Sequence, residues 1–141
     1  MMPIAVTPSE RDRLCEAART IAKSAYAKYS HFRVGAAILG KSQIHVGANV
    51  ENGSLSLSLC AERAAFATAV AERETEFRAV AVACIDAADN GINELLPCGA
   101  CRQWMVELAP DATVYICGFD GVERSFSVSE LMPTPFRLDT R

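Results

Sequence analysis

The sequence has no cluster of lysines and arginines, no apolar run long enough to cross a bilayer, and a single tryptophan. These shortages exclude whole classes of function. A nucleic-acid binder carries a basic face, whereas this chain has a formal charge of -3 and a pI near 5.4. No polynucleotide partner is expected. The most apolar run, 79–85, is far shorter than the roughly 20 residues of a membrane-spanning helix, so no membrane partner is expected. The opening MMPIAVTPSERDR lacks a charged segment leading into a long hydrophobic one and does not read as a signal peptide. A reducing compartment, the cytoplasm, is the expected location. There, cysteines bind metal or do chemistry more often than they form disulfides. Internal repeats, low-complexity tracts and linkers are absent too.

What is there fits one soluble domain over residues 1–141. Half the residues are hydrophobic and 22% are charged, and a chain of this size buries a core without disulfide staples. Thr7-Pro8-Ser9-Glu10 reads as a helix start, after which Leu14, Ala17, Ala18, Ile21 and Ala25 recur at helical spacing as far as Tyr29-Ser30. Residues 32–39 and 44–50 are β-like around a turn at 40–43. The pattern then predicts a helix over 59–72, a strand buried on both faces over 77–85, and a loop over 87–94. A helix over 99–108, a strand pair at 113–117 and 122–126, and a short helix over 129–132 follow. This order, α-β-β-α-β-α-β-β-α, predicts an α/β fold: a three-layer α/β/α domain with a five-stranded mixed sheet.

Within it, SLCAERAAF at 58–66 sets a thiol and a carboxylate two positions apart at a helix start. Alone, Cys60 reads as a buried cysteine and Glu62 as an acid favoured in a first turn by the helix dipole. About 35 residues further on, LPCGACRQ places Cys98 and Cys101 in a C-x-x-C pair at another helix start. Helix N-termini favour thiolate, the form that binds metal. Two helix starts at one end of the sheet would gather three thiolates and one carboxylate. Three protein ligands and an open position make a catalytic zinc site, whereas structural sites use four. No fourth Cys or His stands at a matching spacing. Cys15, Cys84 and Cys117 read as core, His31 and His45 as structural, and Trp104 as helix packing. Cys60-Ala61-Glu62 followed by Pro97-Cys98-Gly99-Ala100-Cys101 is similar to the zinc-deaminase signature, in which Cys can replace His and the Glu moves protons rather than binding metal.

The chain resembles the small cytidine deaminases over nearly its whole length. The resemblance is carried by YSHFRVGAAI (29–38), NVEN (49–52), CAER (60–63), PCGACRQ (97–103) and ELMPTPF (130–136). It implies the cytidine-deaminase fold and a homotetramer whose sites are shared between subunits. It also implies one Zn²⁺ per chain, held by Cys60, Cys98 and Cys101, with Glu62 as the catalytic proton shuttle. Asn49 and Glu51 would bind the ribose hydroxyls, and Phe32 would line the pocket. Main-chain groups around Ala61 and Cys98 would bind the pyrimidine edge, and Phe136 would reach into a neighbouring subunit's site. Arg63 would hydrogen-bond the ligand thiolates, and it has a physical role as well. Three thiolates around Zn²⁺ leave a negative centre that makes bound water less acidic, and a guanidinium offsets it.

The implied reaction is hydrolysis of a cyclic amidine C–N bond in pyrimidine salvage. Cytidine and deoxycytidine would become uridine and deoxyuridine, with release of ammonia. Two alternatives stand beside it: a deaminase for a modified cytosine nucleoside such as blasticidin S, and a non-catalytic zinc-binding module. The module would need a fourth ligand and no Glu62. The sequence departs from the family in two places. Gly53-Ser54-Leu55 stands where Ala-Ser-Tyr is usual, and Arg137-Leu138-Asp139 follows Phe136 where glycine is common. Leu55 in place of a phenol is expected to loosen contacts on the sugar side.

Overall fold

The structure is a computed structural model that describes residues 5–88, 95–118 and 123–139. Helix α1, Pro8–Ala22, begins at a capping box. Thr7 Oγ1 accepts from the Glu10 N–H at 3.1 Å, and the Glu10 carboxylate accepts from the Thr7 N–H at 3.0 Å. Arg78 forks onto the same carboxylate at 2.8 and 3.0 Å. That guanidinium is the main reason the Glu10 carboxyl is held down at about 2. The start of α1 is thereby tied to the sheet.

The helix ends at Ala22, short of the Tyr29-Ser30 boundary that its spacing predicts. Backbone pairing supplies the reason. Tyr26 N–H donates to Asn49 O at 2.9 Å, and Glu51 N–H donates to Tyr26 O at 2.8 Å. This strand-like bridge draws Ala25 and Tyr26 out of the helix, so the apolar repeat outruns the helix itself.

Five strands follow: β1 Val34–Leu39, β2 Ile44–Ala48, β3 Ala79–Cys84, β4 Thr113–Cys117 and β5 Glu123–Ser127. The helices between and after them are α2 Ala61–Ala71, α3 Gly99–Leu108 and α4 Val128–Leu131. A 3₁₀ turn, Leu55–Leu57, occupies the loop before α2, which sequence alone left without structure. The strand order is β2-β1-β3-β4-β5, with β3 and β4 parallel and every other pair antiparallel. A parallel pair needs a crossover, and α3 lies in the connection.

Side chains alternate between the faces of the sheet. Ala37, Leu39, Ala79, Ala81 and Ala83 pack with Leu14, Cys15 and Ala18 of α1. Ala36, Ile38, Val80 and Val82 pack with Ala65, Phe66, Met105 and Val106 of α2 and α3. All six residues of β3 are buried, as expected of the central strand in three layers. Cys15, Cys84 and Cys117 lie in this core. Two glycines set the layer spacing. A Cβ on Gly35 would meet Ala18 O at 1.9 Å, and one on Gly47 would meet Ala65 N at 2.3 Å. Helix backbone therefore rests directly on the sheet from either side.

One polar group is buried where α2 ends. His45, on β2, is 2% exposed. Its Nδ1 lies 2.7 Å from Glu72 Oε1 and its Nε2 lies 2.8 Å from Glu74 Oε1. Burial alone would lower its pKa, but the two carboxylates outweigh that and raise it above the ordinary histidine value. Between those two acids Arg73 has a φ of 67°, the left-handed region that favours glycine.

Candidate metal and substrate site

Helices α2 and α3 follow β2 and β3 in the chain, and these strands, both antiparallel to β1, end on the same side of the sheet. Cys60 is the N-cap of α2, and Cys98 is the N-cap of α3. Cys101 lies one turn into α3 and is fully buried. Their sulfur atoms all fall within 4.8 Å of one another. The Cys60–Cys98 separation is 3.7 Å and the Cys98–Cys101 separation is 3.5 Å. Tetrahedral zinc with Zn–S bonds of about 2.3 Å sets its sulfur ligands about 3.8 Å apart. Two of the three separations thus lie close to the edge length of a zinc tetrahedron, all three sulfurs fall within 4.8 Å, and no other such cluster occurs among the described residues.

The thiols are electrostatically unlike. Cys60 accepts a hydrogen bond from Cys101, and the Arg63 Nη2–H donates to its sulfur at 3.3 Å. These two partners, in that order, lower Cys60 to about 5 against the opposing effect of burial. Cys101 is pushed up, first because it is the proton donor to Cys60 and then because it is buried. Each sulfur is held where a shared cation would replace a shared proton.

Glu62 follows Ala61 in the first turn of α2. It is 4% exposed, and burial is the main reason its carboxyl rises to about 7. It forms no ion pair among the described residues. A carboxyl poised near neutrality beside a metal-binding cluster can both accept and release a proton.

A cavity of about 330 Å³ opens in front of Glu62 and the cysteines. Phe32, Asn49, Glu51, Cys60, Ala61, Glu62 and Cys98, all singled out from sequence, lie on its wall. Asn49 is fixed by the start of β1: its Oδ1 accepts from the Val34 N–H and its Nδ2 donates to Phe32 O, both at 2.9 Å. Glu51 Oε1 accepts from the N–H groups of Tyr29 and Ser30 at 2.9 and 3.0 Å, and Oε2 accepts from the Ser30 hydroxyl. The Ser30 hydroxyl is the first cause of the lowered Glu51 pKa. Leu55 also lines the cavity, though it is 73% exposed.

Phe136 is not part of this wall. It is 70% exposed, and its carbonyl accepts from Gln103 Nε2 at 2.8 Å. Trp104, read from sequence as helix packing, lies on α3 and is 38% exposed beside a surface hollow. It follows Gln103 on α3, whose buried side is taken by Cys101, Met105 and Val106. Sequence reasoning passed over Tyr29, Ser30 and Leu96 as cavity residues. Ser30 lay within the quoted YSHF stretch, but its partnership with Glu51 spans 21 residues and follows no local period.

Comparison with known proteins places this geometry in a family context. Residues 8–117 match the cytidine and deoxycytidylate deaminase zinc-binding region. A cytidine deaminase from Halalkalibacterium halodurans is 42% identical over 132 residues, covering 92% of this chain and 96% of that protein. A crystal structure of cytidine deaminase from Burkholderia pseudomallei superposes with a TM-score of 0.80 at 40% identity, covering 89% of this chain and 98% of that one. A blasticidin-S deaminase from Bacillus cereus is more distant, at 30% identity over 111 residues, covering 73% of this chain and 76% of that protein.

Proposed function

Since the chain belongs to the cytidine and deoxycytidylate deaminase zinc-binding family, we propose that it hydrolyses cytidine and deoxycytidine to uridine and deoxyuridine, releasing ammonia. The observation that carries this reading is the buried Glu62, without an ion-pair partner among the described residues, beside three thiols gathered within 4.8 Å of one another. A zinc ion held by Cys60, Cys98 and Cys101 supplies the Lewis acidity that makes water a usable nucleophile near neutral pH.

The rest falls to the chain's own groups. Glu62 takes a proton from the attacking water and delivers it to N3 of the pyrimidine as the oxygen adds at C4. It then carries the second proton to the exocyclic amino group, which leaves as ammonia. One carboxylate serves both transfers because each restores it. Arg63 offsets the charge of the thiolates, Phe32 flanks the base, and backbone groups around Ala61 and Cys98 meet its polar edge. Asn49 and Glu51 meet the sugar. That polar pair on the cavity wall favours an ordinary nucleoside over blasticidin S. A purely structural zinc module is disfavoured because three ligand residues cluster among the described residues, not four.

We further propose that residues 1–141 form one domain acting in pyrimidine salvage in the cytoplasm, where a reducing environment keeps the site thiols available. No helix among the described residues is long and apolar enough to cross a membrane. The assembly we propose is a homotetramer, in which Phe136 of one subunit meets the cavity of another. Its 70% exposure and its backbone anchor to Gln103 support this. A monomer mass in sedimentation would contradict the shared site.

The test of function is ammonia release by the purified, zinc-loaded protein with cytidine, deoxycytidine, cytosine and blasticidin S side by side. Turnover of the first two, well ahead of the others, is expected. Silence on both with zinc bound would refute the proposal.

A further inference from the structure

The carboxylate of Glu51 is largely engaged before any substrate arrives. Of the roughly four acceptor positions on a carboxylate, three are filled by Tyr29 N–H, Ser30 N–H and the Ser30 hydroxyl. Both backbone donors fall on Oε1, so the position left over is on Oε2, the oxygen that Ser30 also holds. Ser30 has a second bond: its hydroxyl oxygen accepts from the Phe32 N–H at 3.0 Å. Between Ser30 and Phe32, His31 has a φ of 59° and donates its N–H to Ala27 O at 2.9 Å. A non-glycine residue in that region costs free energy and persists only where its surroundings fix it. Tyr29, Ser30, Phe32 and Glu51 all line the cavity.

We propose that Ser30 is a positioning residue for sugar recognition. Its hydroxyl fixes the rotamer of Glu51, so that the one free acceptor position on Oε2 faces a sugar hydroxyl. The Phe32 N–H, which donates to that same hydroxyl oxygen, helps to hold Ser30 in place. This rests on the cytidine reading above and deepens it. It also limits Glu51 to a single sugar hydroxyl, because no further acceptor position remains. No hydrogen bond of Ser30 among the described residues reaches the thiol cluster or Glu62, and it acts through Glu51.

The test compares cytidine with 2′,3′-dideoxycytidine, which carries the same base but lacks the hydroxyls that Glu51 would meet. The kcat/KM of the zinc-loaded wild type, Ser30→Ala and Ser30→Thr is measured on both. In Ser30→Ala the preference for cytidine is expected to fall about tenfold, the size of one hydrogen bond to a charged group. The dideoxy substrate should be little changed, and Ser30→Thr, which keeps the hydroxyl, should retain the preference. An unchanged preference in Ser30→Ala, or an equal loss on both substrates, would overturn the inference by reducing Ser30 to a general support of the turn. A wild type that leaves cytidine untouched would instead overturn the parent reading.

Discussion

The two ends of α2 hold the same kind of side chain under opposite conditions. At the N-terminal end, Glu62 is 4% exposed without an ion-pair partner, and burial pushes its carboxyl up to about 7. Just past the C-terminal end, the Glu74 side chain is 8% exposed. Burial would raise its carboxyl too, but the His45 ring, with help from backbone N–H groups, outweighs burial and lowers it. A carboxylate buried for the fold arrives with its cation, because an unpaired buried charge is strongly destabilising. Glu62 instead has the Cys101 thiol as its hydrogen-bond partner and no ion pair among the described residues, and a carboxyl raised toward neutrality in a cavity is a candidate for proton transfer. Glu62 is buried and Glu74 only partly so; what Glu74 has, and Glu62 lacks among the described residues, is an ion-pair partner.

Four substitutions put weight on that difference. The largest effect is expected at the cluster beside Glu62. Cys101→Ala removes the buried thiol and should leave the protein without zinc and without measurable turnover, since the remaining two thiols do not close the site. Stoichiometric zinc by metal analysis of that variant would contradict the ligand assignment. Glu62→Gln should keep its zinc while turnover of cytidine falls about a hundredfold or more, the lower range of general acid–base catalysis.

At the other end, His45→Gln should leave turnover intact and cost about 2 kcal/mol of folding stability, the scale of hydrogen bonds to charged groups. Its pH dependence follows from the two shifts. His45 is raised from 6.5, so its contribution is full below that value and is lost as pH rises through the folded-state pKa. Glu74 is lowered from 4.5, so its contribution is full above that value and is lost as pH falls through the folded-state pKa. The stability gap between wild type and variant should therefore be widest between about pH 4.5 and 6.5 and should narrow toward alkaline pH. Urea midpoints showing the same gap at all pH values would mean that the ring is neutral. The smallest effect is expected at Arg73, whose φ of 67° lies between the two acids. Arg73→Gly should raise stability by about 0.5 to 1 kcal/mol by relieving the left-handed strain, visible as a small upward shift in melting temperature.

These two ends were not equally legible from sequence. Cys60, Glu62, Cys98 and Cys101 could be singled out because their spacing is local to two helix starts, and the structure gathers the three thiols and sets Glu62 on the wall of the cavity beside them. The order of elements was legible for the same reason: capping residues and apolar periods are local. The His45 cluster was not, since its acids lie 27 and 29 residues away and no period connects them. Boundaries failed wherever tertiary pairing overrode pattern. The strand expected from residue 32 starts at Val34, because His31 turns the chain and Ser30 holds Phe32. The strand expected to reach 50 ends at Ala48, because Val50 pairs with Leu59 and Tyr26 instead. The residues expected at 89–94, part of a loop, and at 119–122, around Asp120-Gly121, lie outside the described residues.

The most direct test is to measure Glu62→Gln and His45→Gln in parallel, both zinc-loaded, for cytidine turnover and for urea midpoint near pH 6. The expected result is a crossing: Glu62→Gln loses turnover and keeps or gains stability, while His45→Gln loses stability and keeps turnover. If Glu62→Gln turned over cytidine near the wild-type rate and unfolded as early as His45→Gln, the Glu62 carboxylate would be a structural group after all, and its proposed proton-transfer role would be wrong.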